Sequence, residues 1–232
     1  MIKPWPVHTL VFDLDDTLYP ERAFVLSGFA AVDAWLQREL KVTGFRETAE
    51  QLFSAGLRGQ IFDEALPRLR LVPSVELIGQ LVAVYRAHEP QLALFPEAAE
   101  ILAWAEKKLR LAIVTDGFAE VQRRKLAALG LEPRVALSVV TDELGREFWK
   151  PHLKGYQLIA SALVGPRTGF VYIGDNARKD FIAPRKLGWR TVRILRDGGE
   201  HADYHPRPDE QAEIDIRDLR ELRDLLQPVP PP

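Results

Sequence analysis

Apolar and polar positions fall into blocks along this chain. Five short runs are almost wholly apolar: the stretch from His8 to Asp13, "LAIVT" (111–115), "ALSVV" (136–140), "FVYI" (170–173) and "TVRIL" (191–195). Runs of this length, bounded by polar loops, predict strands buried on both faces, as in a parallel sheet. The segments between them carry a helical period. "PEAAEILAWAEKK" puts Ala98, Ile101, Leu102 and Ala105 on one face, and "HLKGYQLIASAL" does the same with Leu153, Tyr156, Ala160 and Leu163. Strand and helix alternate over residues 96–195, which predicts an α/β fold with a parallel sheet covered by helices on both sides.

Residues 21–90 break this rhythm and contain no clear strand. Phe24, Gly28, Ala31 and Trp35 form one helical stripe, with Val25, Phe29, Val32 and Leu36 beside it, and Ser74 is placed to cap a helix carrying Leu77, Ile78, Leu81, Val82 and Tyr85. The pattern predicts a helical module, residues 20–91, inserted into an α/β core made of residues 1–19 and 92–226. Its hinges fall near Tyr19–Arg22 and Glu89–Phe95. Residues 196–210 read as a polar loop, "AEIDI" as a last edge strand and "RDLRELRDLL" as a closing helix. The proline-rich end, residues 227–232, is expected to be disordered for want of backbone donors.

Composition narrows the classes. The 232 residues are 47 % hydrophobic and 28 % charged, as suits a globular protein with a real core. Lys plus Arg number 31 against 33 Asp plus Glu, so no electrostatic case exists for nucleic acid or an anionic membrane. The absence of cysteine excludes disulfides, zinc–thiolate sites and thiol nucleophiles. No apolar run approaches the roughly 20 residues of a spanning helix, and "MIKPWPVHTL" lacks the apolar core of a signal peptide. A cytoplasmic protein, monomer or homodimer, is expected.

The chemistry gathers at strand ends. In open α/β sheets ligands bind beyond the carboxyl ends of the strands. The first strand ends in Asp13, followed by Asp15, Asp16 and Thr17; the second ends in Thr115, followed by Asp116 and Gly117. The fourth runs into "GDNARKD", with Asp175, Asn176 and Asp180, and Lys150 stands in "FWKPH" just before a helix. Like charges so close repel one another and need a cation among them. Hard oxygen ligands suit Mg²⁺. A lysine, a hydroxyl and backbone N–H groups suit a phosphoryl group. One carboxylate can attack phosphorus to give an aspartyl phosphate, and a second, two residues on, can carry the proton. Asp16 should point away and be structural. Any one of these segments alone is commonly a turn or a cap; four in order at one sheet edge are not.

The four segments resemble the motifs of the haloacid dehalogenase superfamily: "DLDDT" its first, "IVTDG" its second, "WKP" its third and "GDNARKD" its fourth, while "LFPEAAEIL" is similar to its re-entry into the core. The resemblance spans residues 8–195. It implies a Rossmann-like core of strand order 5-4-1-2-3 with the helical-bundle cap of the type I subfamily. It implies Asp13 as nucleophile and metal ligand, Asp15 as general acid/base and ligand through its carbonyl, Thr115 and Lys150 as phosphate holders, Asp175 as metal ligand, and Asp180 as ligand through water or as a support. The Mg²⁺-dependent hydrolysis of a small phosphorylated metabolite, of nucleotide or sugar phosphate type, follows.

Within the superfamily the dehalogenase branch lacks an acid at the place of Asp15, so its presence argues for phosphate esters. Phosphonatases require a cap lysine, and residues 18–95 hold only Lys41. A sugar phosphomutase shares the core motifs; a phosphorylatable regulatory domain or a silent phosphate-binding protein fits less well. Where many relatives have Asn, this chain has Asp116. Either it faces a substrate hydroxyl or amine, or it caps the next helix at Phe118, and the second is favoured. For substrate choice the candidates are Tyr19, where the chain leaves the core, and Arg58, in the glycine-flanked "AGLRGQ"; the alternative is a packed hinge residue and a solvated turn.

Overall fold

The computed structural model describes residues 3–229 and divides into two units. One comprises the chain up to Pro20 and again from Ala93 onward; the other is Glu21–Leu92.

The first unit opens with a short strand β1 (Trp5–Val7) and then β2 (Thr9–Phe12). After the helical unit come α5 (Pro96–Ala105), β3 (Arg110–Thr115), α6 (Ala119–Ala128), β4 (Leu137–Val140), α7 (Lys154–Ala162), β5 (Phe170–Gly174), α8 (Ile182–Lys186), β6 (Arg190–Ile194), β7 (Ile214–Ile216), α9 (Leu222–Leu225) and β8 (Leu226–Pro228). Six strands form one parallel sheet in the order β4-β3-β2-β5-β6-β7. β2 lies inside it with all four residues fully buried, Thr9 facing Arg110 on one side and Phe170 on the other. The chain passes from β2 to β3 on one side and returns to β5 on the other, so the loops after these strands diverge and leave a crevice at their carboxyl ends. Helices pack on the sheet through the predicted faces: Ala98, Ile101, Leu102 and Ala105 of α5 are buried. On α7 Gly155, Tyr156 and Ile159 are buried, with Leu163 beyond, and Leu153 and Ala160 of the predicted face pack partly buried against the same core. A Cβ at Gly155 would stand 3.3 Å from Val114 and 3.4 Å from Thr141, so the glycine lets this helix approach the sheet closely.

The strand expected over His8–Asp13 is β2, and an additional strand, β1, belongs to a separate two-stranded sheet with β8. Two expectations change. The closing helix is a 3-10 turn, Leu219–Glu221, running into the single turn of α9, and residues 227–229 are paired, not disordered: Gln227 and Pro228 align with Pro6 and Val7, and Val229 N donates to Val7 O at 2.8 Å. In a parallel pair only alternate residues turn their N–H to the partner, so an edge strand tolerates proline at the others. Residues 230–232 lie outside the described residues.

The second unit holds four helices, α1 (Glu21–Leu40), α2 (Phe45–Ser54), α3 (Ile61–Arg68) and α4 (Val75–Ala87). Its core joins Phe29, Val32, Leu36, Phe45, Leu66 and Leu81. Ala31 and Trp35, placed on the α1 stripe from sequence, flank it. Ser74 Oγ accepts from Leu77 N at 3.1 Å, the expected cap of α4. The Tyr85 ring lies so close to α1 that a Cβ at Gly28 would stand 2.4 Å from it.

Candidate active site

The carboxyl ends of β2, β3 and β5 deliver the acidic segments to one place. Asp13 N donates to Ile173 O at 2.8 Å, which carries the sheet one residue past β2 and fixes where the Asp13 side chain emerges. Asp13 Oδ1 meets Lys150 Nζ at 2.5 Å, and the same ammonium meets Asp180 Oδ1 at 2.7 Å and donates to the Tyr172 hydroxyl at 3.2 Å. Lys150 has no exposed side-chain surface. Burial alone would push its ammonium down; Asp13, Asp180 and Asp116 outweigh burial and hold it well above its ordinary value. Burial pushes the Asp13 carboxyl up to about 7 against the pull of Lys150.

Asp175 is the fourth-segment residue with the least support. Burial, then the charges of Asp13 and Asp180, drive its carboxyl well above the usual range. Among the described residues no side chain pairs with it. Asp13, Asp175 and Asp180 each offer an oxygen within 4.8 Å of the others. With Asp13, Asp15, Asp116, Asp175 and Asp180 all ionised, five carboxylates would face three lysines (Lys125, Lys150 and Lys179), two positive charges short. An all-oxygen, buried and under-neutralised donor set fits a hard divalent cation. Asp180 also accepts from Asn176 N at 3.0 Å and from the Tyr172 hydroxyl at 3.2 Å, so its orientation is fixed from behind.

The Asp15 carboxylate lies outside that triad. Its Oδ1 takes Lys125 Nζ at 2.6 Å and the Tyr19 hydroxyl at 2.5 Å, and its Oδ2 takes Gln122 Nε2 at 2.9 Å. Burial would raise this carboxyl, but Lys125, Tyr19 and Gln122 together hold it below the ordinary range. Asp16 adopts a left-handed conformation with φ 50°, which aspartate tolerates. Its carbonyl and that of Thr17 accept from Arg196, which also pairs with Glu97 and lies 3.8 Å over the Phe95 ring. The Thr17 hydroxyl is buried and has no hydrogen-bond partner among the described residues.

One sequence reading needs correction, and three candidate residues have partners of their own. Asp116 does not cap α6. Its Oδ1 accepts from the Thr141 hydroxyl at 2.6 Å and Lys150 N at 3.0 Å, and its Oδ2 pairs with Lys179 at 3.1 Å. The helix is capped instead by Asp142, which accepts from Ala119 N at 3.0 Å. These donors turn a carboxylate that repels phosphate into an anchor for the backbone of Lys150. Tyr19 is fully buried and its hydroxyl donates to Asp15 Oδ1, so its polar atom is engaged with that side chain. Arg58, in the helical unit, donates to the carbonyls of Phe53 (2.8 Å) and Leu57 (2.9 Å) and stacks 3.9 Å over the Phe53 ring, holding the end of α2.

Sequence reasoning missed Gln122, Lys125, Tyr172 and Lys179. One signal was present for the first two: in α6 the buried positions are Val121, Gln122, Lys125 and Leu126, an inward face with an amide and an ammonium on it. Thr115 Oγ1 accepts from Gln122 at 2.6 Å, and Gly117 follows at φ 127°, where a Cβ would come within 3.1 Å of the Gln122 side chain.

Residues 7–188 match the haloacid dehalogenase-like hydrolase family. Over 95 % of its length the chain is 30 % identical to a glyceraldehyde 3-phosphate phosphatase of Methanopyrus kandleri, covering 97 % of that protein. A phosphoserine phosphatase of Thermus thermophilus is 31 % identical over 71 % of this chain and 63 % of its own. In fold, the chain is similar to the magnesium-bound HAD-hydrolase YfnB of Bacillus subtilis, with a TM-score of 0.67 at 20 % identity, over 96 % of this chain and 99 % of that one.

Proposed function

The chain belongs to the haloacid dehalogenase-like hydrolase family, and from that premise we propose that it is a Mg²⁺-dependent phosphatase of small sugar-phosphate-type monoesters that uses Asp13 as nucleophile. One observation carries the reading: Asp13, at the end of a buried central strand, shares the wholly buried ammonium of Lys150 with Asp180. Asp13, Asp175 and Asp180 would hold the cation, which when bound supplies charge neutralisation at the phosphoryl oxygens.

The chain's own groups do the rest. Lys150 orients the Asp13 carboxylate and offsets phosphate charge, and the Thr115 hydroxyl with the backbone N–H groups after β3 receives phosphoryl oxygens. An Asp13 oxygen bonds to phosphorus as the ester P–O bond breaks, and Asp15 gives its proton to the departing alkoxide. Water then attacks the aspartyl phosphate, its proton passes to Asp15, and phosphate leaves with Asp13 restored. The acid at Asp15 favours an alkoxide leaving group, which needs a proton, over a halide, which does not. The two relatives named above are phosphatases of glyceraldehyde 3-phosphate and phosphoserine, both three-carbon frames with a terminal phosphate, and this supports a small, polar substrate.

The test is phosphate release from glyceraldehyde 3-phosphate, phosphoserine, hexose phosphates and nucleoside monophosphates with Mg²⁺, with labelled phosphate trapped on the protein by acid quench. Turnover of at least one ester is expected, with label that disappears in Asp13→Asn. Near-normal turnover by Asp13→Asn would place the covalent bond elsewhere.

A further inference from the structure

Helix α6 carries the feature that the reaction as outlined leaves unexplained. Gln122 and Lys125 stand three residues apart, hence on one face, and both are almost wholly buried, at 1 % and 3 % exposure. A buried ammonium is costly unless paired, and a buried amide is costly unless hydrogen-bonded. Apolar residues at these positions would pack the helix on the sheet without that cost. Both side chains converge on one carboxylate: Lys125 Nζ on Asp15 Oδ1 at 2.6 Å, Gln122 Nε2 on Asp15 Oδ2 at 2.9 Å. The same Gln122 amide nitrogen reaches Thr115 Oγ1 at 2.6 Å, and Tyr19 completes the grip on Oδ1.

Each oxygen of Asp15 is therefore held from a different direction, and the clamp is tied to the residue after which the phosphate-facing backbone turns. Gly117 preserves it, since a side chain there would press on Gln122. Asp13 is held by a separate cation, Lys150, so nucleophile and proton carrier are oriented by different lysines, one on α6 and one in the turn before α7. Proton transfer between a carboxyl and a leaving oxygen needs hydrogen-bond distance and alignment, and small misplacements cost orders of magnitude.

We propose that Lys125 and Gln122 are positioning residues that clamp Asp15 in the orientation from which it gives a proton to the leaving alkoxide and takes one from the attacking water, with Gln122 coupling that orientation to Thr115. The proposal rests on the phosphatase reading above.

The test compares wild type, Lys125→Met and Gln122→Met on the best natural-type ester from the panel and on p-nitrophenyl phosphate, with Mg²⁺. A clamp lost should lower kcat on the alkyl ester by about tenfold to a hundredfold while KM moves less than about threefold. The pre-steady-state release of p-nitrophenolate, which needs little protonation, should fall far less, and Lys125→Arg should recover part of the loss. Gln122→Met keeps the volume and adds no charge, so it carries the test should Lys125→Met fold poorly. Equal losses on the two leaving groups, or a lower melting temperature with kcat unchanged, would make the pair structural and overturn the proposal. Failure of the phosphatase reading looks different: wild type itself would release no phosphate from any ester.

Discussion

Lys150 meets Asp13 across 137 residues of sequence, and Lys125 meets Asp15 across 110, whereas Arg58 closes on Phe53, five residues back. The two units of this chain differ in just this way. At the carboxyl edge of the sheet, segments far apart in sequence are brought together because parallel strands start and end in register. Polar groups that meet there are buried and selected by what arrives opposite them. In Glu21–Leu92 the helices are joined by short connections, the core is a cluster of rings such as Phe29, Phe45, Phe62 and Tyr85, and Arg58 closes its own turn. A cation flagged in both places by its residue type thus ends as part of a charge network in one and as a helix terminus in the other.

Metal removal should break the sheet edge most completely. EDTA should take phosphatase activity to background and Mg²⁺ or Mn²⁺ should restore it, because Asp13, Asp175 and Asp180 converge and no side chain pairs directly with Asp175 among the described residues. Full activity after exhaustive chelation would remove the divalent site. Lys150→Met comes next. It leaves Asp13 and Asp180 buried without their shared ammonium, and loss of one partner of a buried ion pair costs roughly 3–5 kcal/mol. Urea unfolding in EDTA should report that loss, and adding Asp180→Asn should recover part of it. An unchanged midpoint would mean the network adds nothing to stability.

Asp116→Asn should have a smaller effect, about 1–3 kcal/mol, because an amide keeps the bonds from Thr141 and Lys150 N but turns a donor toward Lys179. Lys179→Met made in the Asp116→Asn background should then cost less than it does alone, measured by the same unfolding. Arg58→Ala should change least. It removes two bonds to backbone carbonyls and a stacked ring in an exposed turn, worth about 1 kcal/mol, with kcat and KM unaltered on every ester. A KM that rises selectively for one ester would return Arg58 to the substrate.

Much of the sheet edge was legible because its signals are local. An apolar run followed at once by Asp13, by Thr115 or by Asp175 marks a strand end and its chemistry together, and "WKP" supplies the ammonium. The inserted helical unit was legible from a change of hydrophobic period at Tyr19–Arg22 and back near Phe95. What failed were statements about partners. Asp116 stands two residues before Phe118, a plausible cap by spacing, yet Asp142 caps α6 and Asp116 binds Thr141, Lys150 and Lys179. Tyr19 was placed by its distance from Thr17, and spacing gave no sign that its hydroxyl has Asp15 as a partner. The proline-rich end was read from its missing donors, while pairing with β1 uses the donor of Val229 and the acceptors around it.

Residue order by itself therefore determined the strands, the acidic residues at their ends and the place of the insertion, since period and punctuation act over a few residues. Only the tertiary structure decided which carboxylate each lysine serves, that Gln122 and Lys125 turn inward onto Asp15, and that β8 closes on β1. These depend on register between segments up to 221 residues apart, as between Trp5 and Leu226, and on desolvation, which makes a buried charge take whichever opposite charge the fold sets beside it.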